Sequence, residues 1–179
     1  PTTLFALLAL AVVVMSGIWE VVDRVLLNDP GAAQVLGEHA RGAPVQVLLT
    51  VDLGDRREGV LPDAAAAVAA ELSRLPGVGL AGVAVNFACL SGQLPTRGLF
   101  RQAEDVLAAC AGHCAAEPVL SLGGTCVVQC LDGYEPRFAT EVRVGETAGH
   151  GRTVVPVCKD SIAALAKERP LIASRSVTI

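Results

Sequence analysis

The chain is poor in aromatic residues and has no cluster of basic residues. Phe, Trp and Tyr make up 3% of its 179 residues, whereas hydrophobic residues as a whole make up 52% and the formal net charge is −4. A chain of this size and composition is expected to fold as one domain around an aliphatic core. Without a basic patch, neither nucleic acid nor an anionic membrane surface is expected as a partner.

Motifs of several hydrolytic and metal sites are also missing. There is no Gly-x-Ser-x-Gly turn, and the three histidines stand apart from one another, which argues against a Ser/His/Asp hydrolase. The cysteines include two pairs of the same spacing, Cys110 with Cys114 and Cys126 with Cys130. Four thiolates form zinc sites in some proteins, but the usual Cys-x2-Cys turns are absent here. We therefore expect no metal and favour packing of these cysteines in the core, with zinc as the alternative.

The beginning of the chain is uncharged. Residues 1–19 contain no Asp, Glu, Lys or Arg, and this length approaches the roughly 20 apolar residues that span a bilayer. However, no basic residue precedes the run, as one would in a signal peptide. We expect a buried segment of the fold here, with a membrane or export segment as the alternative.

Apolar runs typical of strands alternate with helical patterns along the rest of the chain. The predicted strands are 24–27, 45–51, 78–85, 119–122 and 141–144, and the predicted helices are 31–41, 62–75 and 96–114. This alternation predicts βαβ units and a parallel sheet. Periodicity alone does not distinguish an open doubly wound sheet from a (β/α) barrel. Both architectures place functional residues at the C-terminal ends of the strands.

Polar and glycine-rich sequence follows these strands. Segment 52–59 is Asp-Leu-Gly-Asp-Arg-Arg-Glu-Gly, segment 86–92 is Asn-Phe-Ala-Cys-Leu-Ser-Gly, and segment 121–125 is Ser-Leu-Gly-Gly-Thr. The Gly-Gly-Thr of the last segment allows close approach to unhindered backbone N–H groups, which suits a phosphate. Most Gly-Gly pairs are ordinary turns, so this signal is weak when it is taken alone.

Together these segments resemble the alanine racemase N-terminal-domain family of fold-type III PLP-dependent amino-acid racemases, in particular its ornithine racemase branch. The family pattern of Val-Asp-Leu-Gly-Asp followed by Arg-Glu-Gly is matched at 51–59, and its Asn-x-x-Cys strand end at 86–89. A later Gly-Gly and an Arg-Ile-Gly-Glu element correspond to 123–124 and 143–146. The resemblance implies an α/β fold, a parallel-stranded (β/α) barrel of alanine racemase type. We expect this barrel to be incomplete, without its first strands and most of the C-terminal β domain.

The resemblance also implies roles for individual residues. Arg143 would face the pyridine nitrogen of pyridoxal 5'-phosphate (PLP), where an arginine keeps the nitrogen unprotonated and favours racemisation. Arg57 would face the substrate carboxylate, and Asn86 and Cys89 would be the other catalytic positions. The implied cofactor-binding residues are Gly123, Gly124, Thr125, Arg143, Gly145 and Glu146. On charge alone, Asp55 is a candidate to bind a cationic substrate side chain.

The implied function is amino-acid racemisation, an isomerase reaction on a small or basic amino acid such as alanine or ornithine. This chemistry needs a lysine that forms a Schiff base with PLP at the end of the first barrel strand. The two lysines, Lys159 and Lys167, both follow the matching segments. We therefore expect the chain alone to be catalytically impaired and PLP not to be covalently attached. The alternative is a catalytically silent, truncated barrel that binds PLP or serves as an assembly module.

The resemblance also sets the expected organisation and setting of the chain. The predicted segments are 1–23 (apolar N-terminal segment), 24–158 (partial barrel) and 159–179 (start of a C-terminal β segment). The expected partners are an amino-acid substrate and further copies of the chain in a homodimer. The expected location is cytoplasmic, with membrane association through residues 1–19 as the alternative.

Overall fold

The computed structural model describes residues 22–40, 42–143 and 176–178. Strands and helices alternate along these residues, and one short 3-10 turn, Ala111–His113, follows the third helix. The strands are β1 (Arg24–Leu27), β2 (Val45–Val51), β3 (Val78–Asn86), β4 (Val119–Gly123), β5 (Ala139–Arg143) and β6 (Ser176–Thr178). The helices are α1 (Pro30–Glu38), α2 (Pro62–Leu72), α3 (Arg97–Cys110) and α4 (Val127–Cys130).

The strands form one parallel sheet in the order β5-β4-β3-β2-β1-β6. From β1 to β5 each strand lies beside the one before it, always on the same side. A doubly wound sheet reverses this direction at a switch point, and no reversal occurs between β1 and β5. Right-handed crossovers in one direction place all helices on one face, and α1 contacts α2, which contacts α3. The strand order therefore favours the barrel over the open sheet.

An ion pair across the sheet shows that the sheet is curved. Arg24 on β1 and Glu141 on β5 are joined by a contact of 2.7 Å between Nη1 and Oε2. Four strand spacings separate β1 from β5, which is roughly 19 Å in a flat sheet. Two side chains of these lengths do not meet across such a width. The sheet must therefore curl around its concave face, as the wall of a (β/α) barrel does.

The main core lies between the convex face of the sheet and the helices. Alternate strand residues supply one side of it, for example Val47, Leu49 and Val51 on β2, all at most 1% exposed. The amphipathic helix α3 supplies Phe100 and Leu107, which are fully buried. The concave face has a small apolar cluster of Leu26, Leu48, Ala81 and Ala84. The polar residues Thr50, Asn86, Ser121 and Glu141 are also buried on this face.

Local signals explain where the helices begin. Pro30 and Pro62 occupy the first turns of α1 and α2, where a missing N–H costs nothing. The Asp29 carboxylate accepts a hydrogen bond from Gly31 N (3.0 Å). The Thr96 hydroxyl accepts one from Leu99 N (3.2 Å) at the start of α3. Such side-chain acceptors satisfy N–H groups that the helix itself leaves unpaired.

The predicted fold class, an incomplete α/β barrel with a parallel sheet, is confirmed. The predicted helices extend too far, because 31–41 ends at Glu38 and 62–75 ends at Leu72. The helix predicted at 96–114 ends at Cys110 and tightens into the 3-10 turn. Among the described residues no helix is both long and apolar enough to cross a bilayer. The apolar run 1–19 and most of 159–179 lie outside the described residues, so the predicted segment boundaries stay predictions.

Candidate functional site

The C-terminal ends of β2, β3, β4 and β5 meet at one edge of the sheet and carry a connected group of polar side chains. At its centre is Arg143, the last residue of β5. Its Nε donates to Ser121 Oγ (2.9 Å), and its Nη2 donates to Asn86 Oδ1 (3.0 Å) and to Val85 O (3.2 Å). Arg143 is thus held by β3 and β4. Among the described residues, the hydrogen bonds of its guanidinium are made by Nε and Nη2.

Glu58 extends this group to the loop after β2. Its Oε1 accepts a hydrogen bond from Asn86 Nδ2 (2.6 Å) and lies 3.2 Å from Arg57 Nη2. Asn86 is buried, whereas the side chain of Arg57 is 46% exposed. Cationic and carboxylate groups therefore alternate from the interior to the solvent, in the order Arg143, Glu58, Arg57, with the Asn86 amide between the first two.

The loop from 52 to 60 is organised by its own backbone and by Asp52. Oδ1 of Asp52 accepts hydrogen bonds from Gly54 N (2.8 Å) and Arg56 N (3.0 Å). Gly59 has φ +123° and lies so close to the end of β2 that a Cβ there would be 2.6 Å from Asp52 N. Only glycine meets both conditions without strain. This explains the Gly that follows Arg57 and Glu58 in the motif.

Asp55 holds the loop after β3. Its Oδ1 accepts hydrogen bonds from Leu90 N (3.0 Å), Ser91 N (3.1 Å) and Ser91 Oγ (3.2 Å). Burial raises the pKa of Asp55, but the hydrogen bonds from Leu90 and Ser91 outweigh it and lower the pKa below the ordinary value. Through Oδ1 this buried carboxylate joins the loops after β2 and β3. The suggestion that Asp55 binds a cationic substrate side chain rested on charge alone and stays a prediction.

The Gly-Gly-Thr segment at the end of β4 is tightly packed. A Cβ on Gly123 would collide with Asn86 Oδ1 and lie 2.7 Å from Arg143 Nη2, so only glycine leaves room for their hydrogen bond. Gly124 has φ +114°, and its N–H donates to Arg143 O (3.1 Å). That N–H was expected to be open to a phosphate, but a β5 carbonyl uses it. Thr125 is fully buried at the turn.

Two residues with left-handed backbone stand immediately before predicted catalytic positions. Arg56 has φ +57° and precedes Arg57, and Ala88 has φ +58° and precedes Cys89. Such conformations cost non-glycine residues about 1–3 kcal/mol and tend to occur at functional sites. Cys89 is exposed, and its Sγ donates to Phe87 O (3.5 Å). The strain favours a functional reading of both loops.

Burial dominates the electrostatics at Arg143. Desolvation lowers the pKa of its guanidinium, and the carboxylates of Glu141 and Glu58 oppose this by raising it. Cys89 also favours the cation, whereas the charge of Arg57 disfavours it. A buried cation is stable only when anions and acceptors surround it, and this group supplies both.

The predicted site residues are thus only partly brought together. Asn86, Gly123 and Arg143 touch directly, and Arg57 joins them through Glu58. Gly145 and Glu146 lie outside the described residues, and the roles of all predicted site residues stay predictions.

Glu58 and Ser121 had no predicted role, although both lie in the polar segments that follow the strands. The period-2 alternation of β4 places Ser121 on the same face as Gly123, and that signal could have identified it. The sequence signal for Glu58 is its position between Arg57 and Gly59 in the motif.

The cysteines pack in or against the core, although neither spaced pair lies within a single helix, because Cys114 follows the end of α3 and Cys126 precedes α4. Cys110 is buried in the core, and Cys114, Cys126 and Cys130 pack against it. Burial and the neighbouring Cys114 raise the pKa of the Cys110 thiol to about 11. Within residues 22–40, 42–143 and 176–178, no three His, Cys, Asp or Glu side chains form a group that could hold a metal ion.

Comparison with known proteins agrees with this geometry. The family described as alanine racemase, N-terminal domain, matches residues 10–148. Lysine racemase of Thermotoga maritima is 29% identical over 136 residues, which are 74% of this chain and 38% of that protein. The chain thus spans less than two fifths of the length of this relative.

Solved structures show the same fold at low sequence identity. Alanine racemase from Corynebacterium glutamicum superimposes with a TM-score of 0.51 at 21% identity, covering 73% of this chain and 39% of that one. Arginine decarboxylase from Paramecium bursaria Chlorella virus gives a TM-score of 0.50 at 9% identity, covering 69% and 39%. The strand ends described above therefore belong to a fold that at least two kinds of enzyme share.

Proposed function

Because the chain belongs to the alanine racemase N-terminal-domain family, we propose that it forms the barrel portion of a PLP-dependent amino-acid racemase. The substrate class is a small or basic amino acid, such as alanine, ornithine or the lysine of the Thermotoga maritima relative. The observation that carries the proposal is the immobilised guanidinium of Arg143 at the ends of parallel strands. Enzymes of this architecture bind their ligands there.

The geometry of Arg143 suits the ring nitrogen of PLP. Three hydrogen bonds fix Nε and Nη2 on Ser121, Asn86 and Val85, which leaves Nη1 as a donor for an uncharged aromatic nitrogen. PLP, when bound, supplies the electron sink that allows the α-proton of an amino acid to leave and return. Arg143 always carries a charge, so it donates to the ring nitrogen and does not protonate it.

Arg57 suits the substrate carboxylate. It is half exposed at the solvent side of the group, and Glu58 holds it at 3.2 Å. A guanidinium offers two parallel donors to a carboxylate. Glu58 beside it holds the guanidinium in place by an ion pair and leaves the solvent side of Arg57 for the substrate carboxylate.

The phosphate of PLP would lie against the turn after β4. Gly123, Gly124 and Thr125 provide close approach there, although the Gly124 N–H is already bonded to Arg143 O. Gly124 is therefore proposed to act through its left-handed backbone, which forms the turn beside the phosphate, and not as a hydrogen-bond donor to it. We propose that Gly145 and Glu146 supply further backbone donors, as the family pattern implies.

The chain by itself is proposed to bind PLP reversibly and to be impaired in racemisation. The lysine that the chemistry requires precedes the 51–59 motif in the family, and neither Lys159 nor Lys167 has that position. Asn86 and Cys89 are proposed to border the cofactor. Cys89 is exposed, so it is open to a bound ligand.

A homo-oligomer in the cytoplasm is part of the same proposal. Three large apolar side chains are exposed on the loops at the strand ends, namely Leu61 (69%), Leu90 (67%) and Leu94 (59%). We propose that these side chains contribute to contact between copies of the chain, since contiguous apolar surface favours association. Light scattering over a concentration series should give a mass above that of one chain, and Leu90→Ser with Leu94→Ser should reduce it. A monomer at all concentrations would contradict this part.

The proposal is tested with PLP and the purified full chain. We expect PLP to bind with a change in its visible spectrum, and Arg143→Ala to weaken that binding by roughly tenfold or more, as for loss of a buried charged donor. The matched control is Arg74→Ala, which removes an exposed arginine after α2 and should bind PLP normally. Equal affinity in both variants, or no binding at all, would contradict the proposal.

Two further measurements address catalysis. Borohydride reduction followed by mass spectrometry is expected to leave both lysines unmodified. Chiral chromatography with alanine, ornithine and lysine is expected to show little or no racemisation by the chain alone. A lysine-linked product would overturn the statement that attachment is not covalent here.

A further inference from the structure

Glu58 is the glutamate of the Arg-Glu-Gly element at 57–59, and no role was predicted for it. Its side chain is only 24% exposed, and its Oε1 serves two donors at once, Asn86 Nδ2 at 2.6 Å and Arg57 Nη2 at 3.2 Å. The shorter contact is charge-assisted and points inward from the loop to β3. A surface carboxylate that only kept the loop soluble would not be placed between two strand ends.

Asn86 connects Glu58 to Arg143, the last residue of β5. Its Nδ2 donates to Glu58 while its Oδ1 accepts from Arg143 Nη2 (3.0 Å). If the amide were turned over, two acceptors would face each other at Glu58 and two donors at Arg143. The carboxylate and the guanidinium therefore select the same orientation, and the buried amide has no other arrangement that satisfies both ends.

The guanidinium of Arg143 is held on two sides. Ser121 Oγ accepts from Nε (2.9 Å), and Asn86 Oδ1 shares Nη2 with Val85 O. Removing the Asn86 contact would leave Nη2 with the longer bond to Val85 O (3.2 Å) and would loosen that end of the guanidinium. The orientation of the guanidinium therefore depends on the position of the Asn86 amide, and Glu58 holds that amide.

We propose that Glu58 is a positioning residue for Arg143, acting through the Asn86 amide and not by contact with the cofactor or the substrate. This inference rests on the proposed function, since it describes how the chain prepares Arg143 for the ring nitrogen. A purely structural role, in which Glu58 only joins the loop after β2 to β3, would leave the guanidinium of Arg143 unchanged when Glu58 is altered.

The first test needs no cofactor. In ¹⁵N-labelled full chain, the Arg143 guanidinium N–H groups and the Asn86 side-chain amide give separate resonances, assigned with Arg143→Lys and Asn86→Ala. We expect Glu58→Gln to shift the Asn86 amide and to speed solvent exchange of the Arg143 Nη2–H, which donates to Asn86, roughly tenfold, as for loss of one charge-assisted hydrogen bond. The matched control is Glu71→Gln, the same change at an exposed residue of α2, and it should move neither resonance.

A double-mutant cycle shows whether Glu58 acts through Asn86. The exchange rate in Glu58→Gln with Asn86→Ala should equal that in Asn86→Ala alone, because the route is already broken. Additive effects would overturn the proposal, as would an unchanged Arg143 resonance in Glu58→Gln. Melting temperatures of all variants identify any that fail to fold. Glu58 is partly exposed, so we expect Glu58→Gln to fold and to remain measurable.

The same cycle is then measured with PLP as the probe. Glu58→Gln should weaken reversible PLP binding by roughly tenfold in the wild-type background and have no further effect in the Asn86→Ala background. If PLP does not bind to any variant, the proposed function fails, while the resonances still decide whether Glu58 positions Arg143.

Discussion

Replacing Glu104 by Gln should destabilise the fold through a buried carboxylate far from any predicted catalytic position. Glu104 on α3 is fully buried. Its Oε1 accepts from Arg137 N (2.6 Å), and its Oε2 accepts from Arg137 Nε (2.8 Å) and from Arg101 Nη1 (2.9 Å). These bonds join α3 to the segment that leads into β5, the strand of Arg143. A glutamine amide has one oxygen and one NH2 group, so its NH2 group would face either the two guanidinium groups or the Arg137 N–H, and the negative charge would be lost in both orientations.

The magnitude follows from the bonds that are lost. Two charge-assisted hydrogen bonds contribute roughly 1.5–3 kcal/mol each when they are buried. The side chains of Arg101 and Arg137 are nearly half exposed (48% and 46%), so solvent screens these bonds and lowers their worth. We therefore expect Glu104→Gln to lower the free energy of unfolding by about 2 kcal/mol, which is about 4–8 °C in Tm for a chain of this length.

The pH dependence gives a second, independent signature. Burial alone raises the pKa of Glu104, but the hydrogen bonds from Arg137 and Arg101 outweigh it, so the pKa lies below its ordinary value of 4.5. A carboxyl with a lowered pKa in the folded state binds its proton more readily when unfolded. Its contribution is therefore complete above the ordinary pKa and is lost as the pH falls through the folded value.

Urea unfolding followed by circular dichroism measures both signatures. The gap between wild type and Glu104→Gln should be full near about pH 7 and should close as the solution becomes acidic, below about pH 4. Glu117→Gln, at an exposed position before β4, is the control and should have no gap. The reasoning is refuted if Glu104→Gln matches this control at neutral pH, or if its gap persists in acid.

Three further predictions concern the strand ends and the cysteines. Gly123→Ala should disturb Asn86 and Arg143, because its Cβ would lie between them; it should weaken PLP binding, measured by titration. Ala88→Gly should raise the free energy of unfolding by about 1 kcal/mol, because glycine adopts the left-handed conformation without strain; urea unfolding measures this, and a loss of stability would contradict it. Iodoacetamide at mildly alkaline pH should modify the exposed Cys89 well before Cys110, whose pKa is raised to about 11 by burial, and mass spectrometry of the peptides would show the order.

The strands could be predicted from the sequence because each is a short apolar run that the fold buries. The bounds of β1 and β2 agree with the prediction residue for residue. Helix ends were less accurate, since α1 ends at Glu38 although the apolar spacing continues to Arg41. The spacing of apolar residues indicates which face of a helix is buried, whereas the residue at which the helix ends also depends on the segments that pack against it. Here Gly37 packs so closely on the Pro76 carbonyl that a Cβ would not fit.

The site was predictable in its location but not in its contacts. Strand ends of a parallel sheet meet at one edge, and Asn86, Gly123 and Arg143 lie at that edge. Their hydrogen bonds depend on register, which pairs Asn86 with Gly123 and Gly123 with Arg143. Register joins residues that are far apart in sequence, so the contact between Glu58 and Asn86 could not be predicted locally. Ser121 differs, because the alternation of β4 already places it on the face of Gly123.

The concave face of the sheet shows why such a site is compatible with a stable fold. Its charges alternate in sign from the interior outward, in the order Arg24, Glu141, Arg143, Glu58 and Arg57. Burying any one of them alone would be costly, because a charge removed from water needs an opposite charge or several hydrogen bonds in its place. Arg24 pairs with Glu141, and Arg57 pairs with Glu58. The Asn86 amide bonds to both Glu58 and Arg143. The same contacts that orient Arg143 for a ligand are therefore the ones that make its burial tolerable, so changes made to alter ligand binding here should also register in stability.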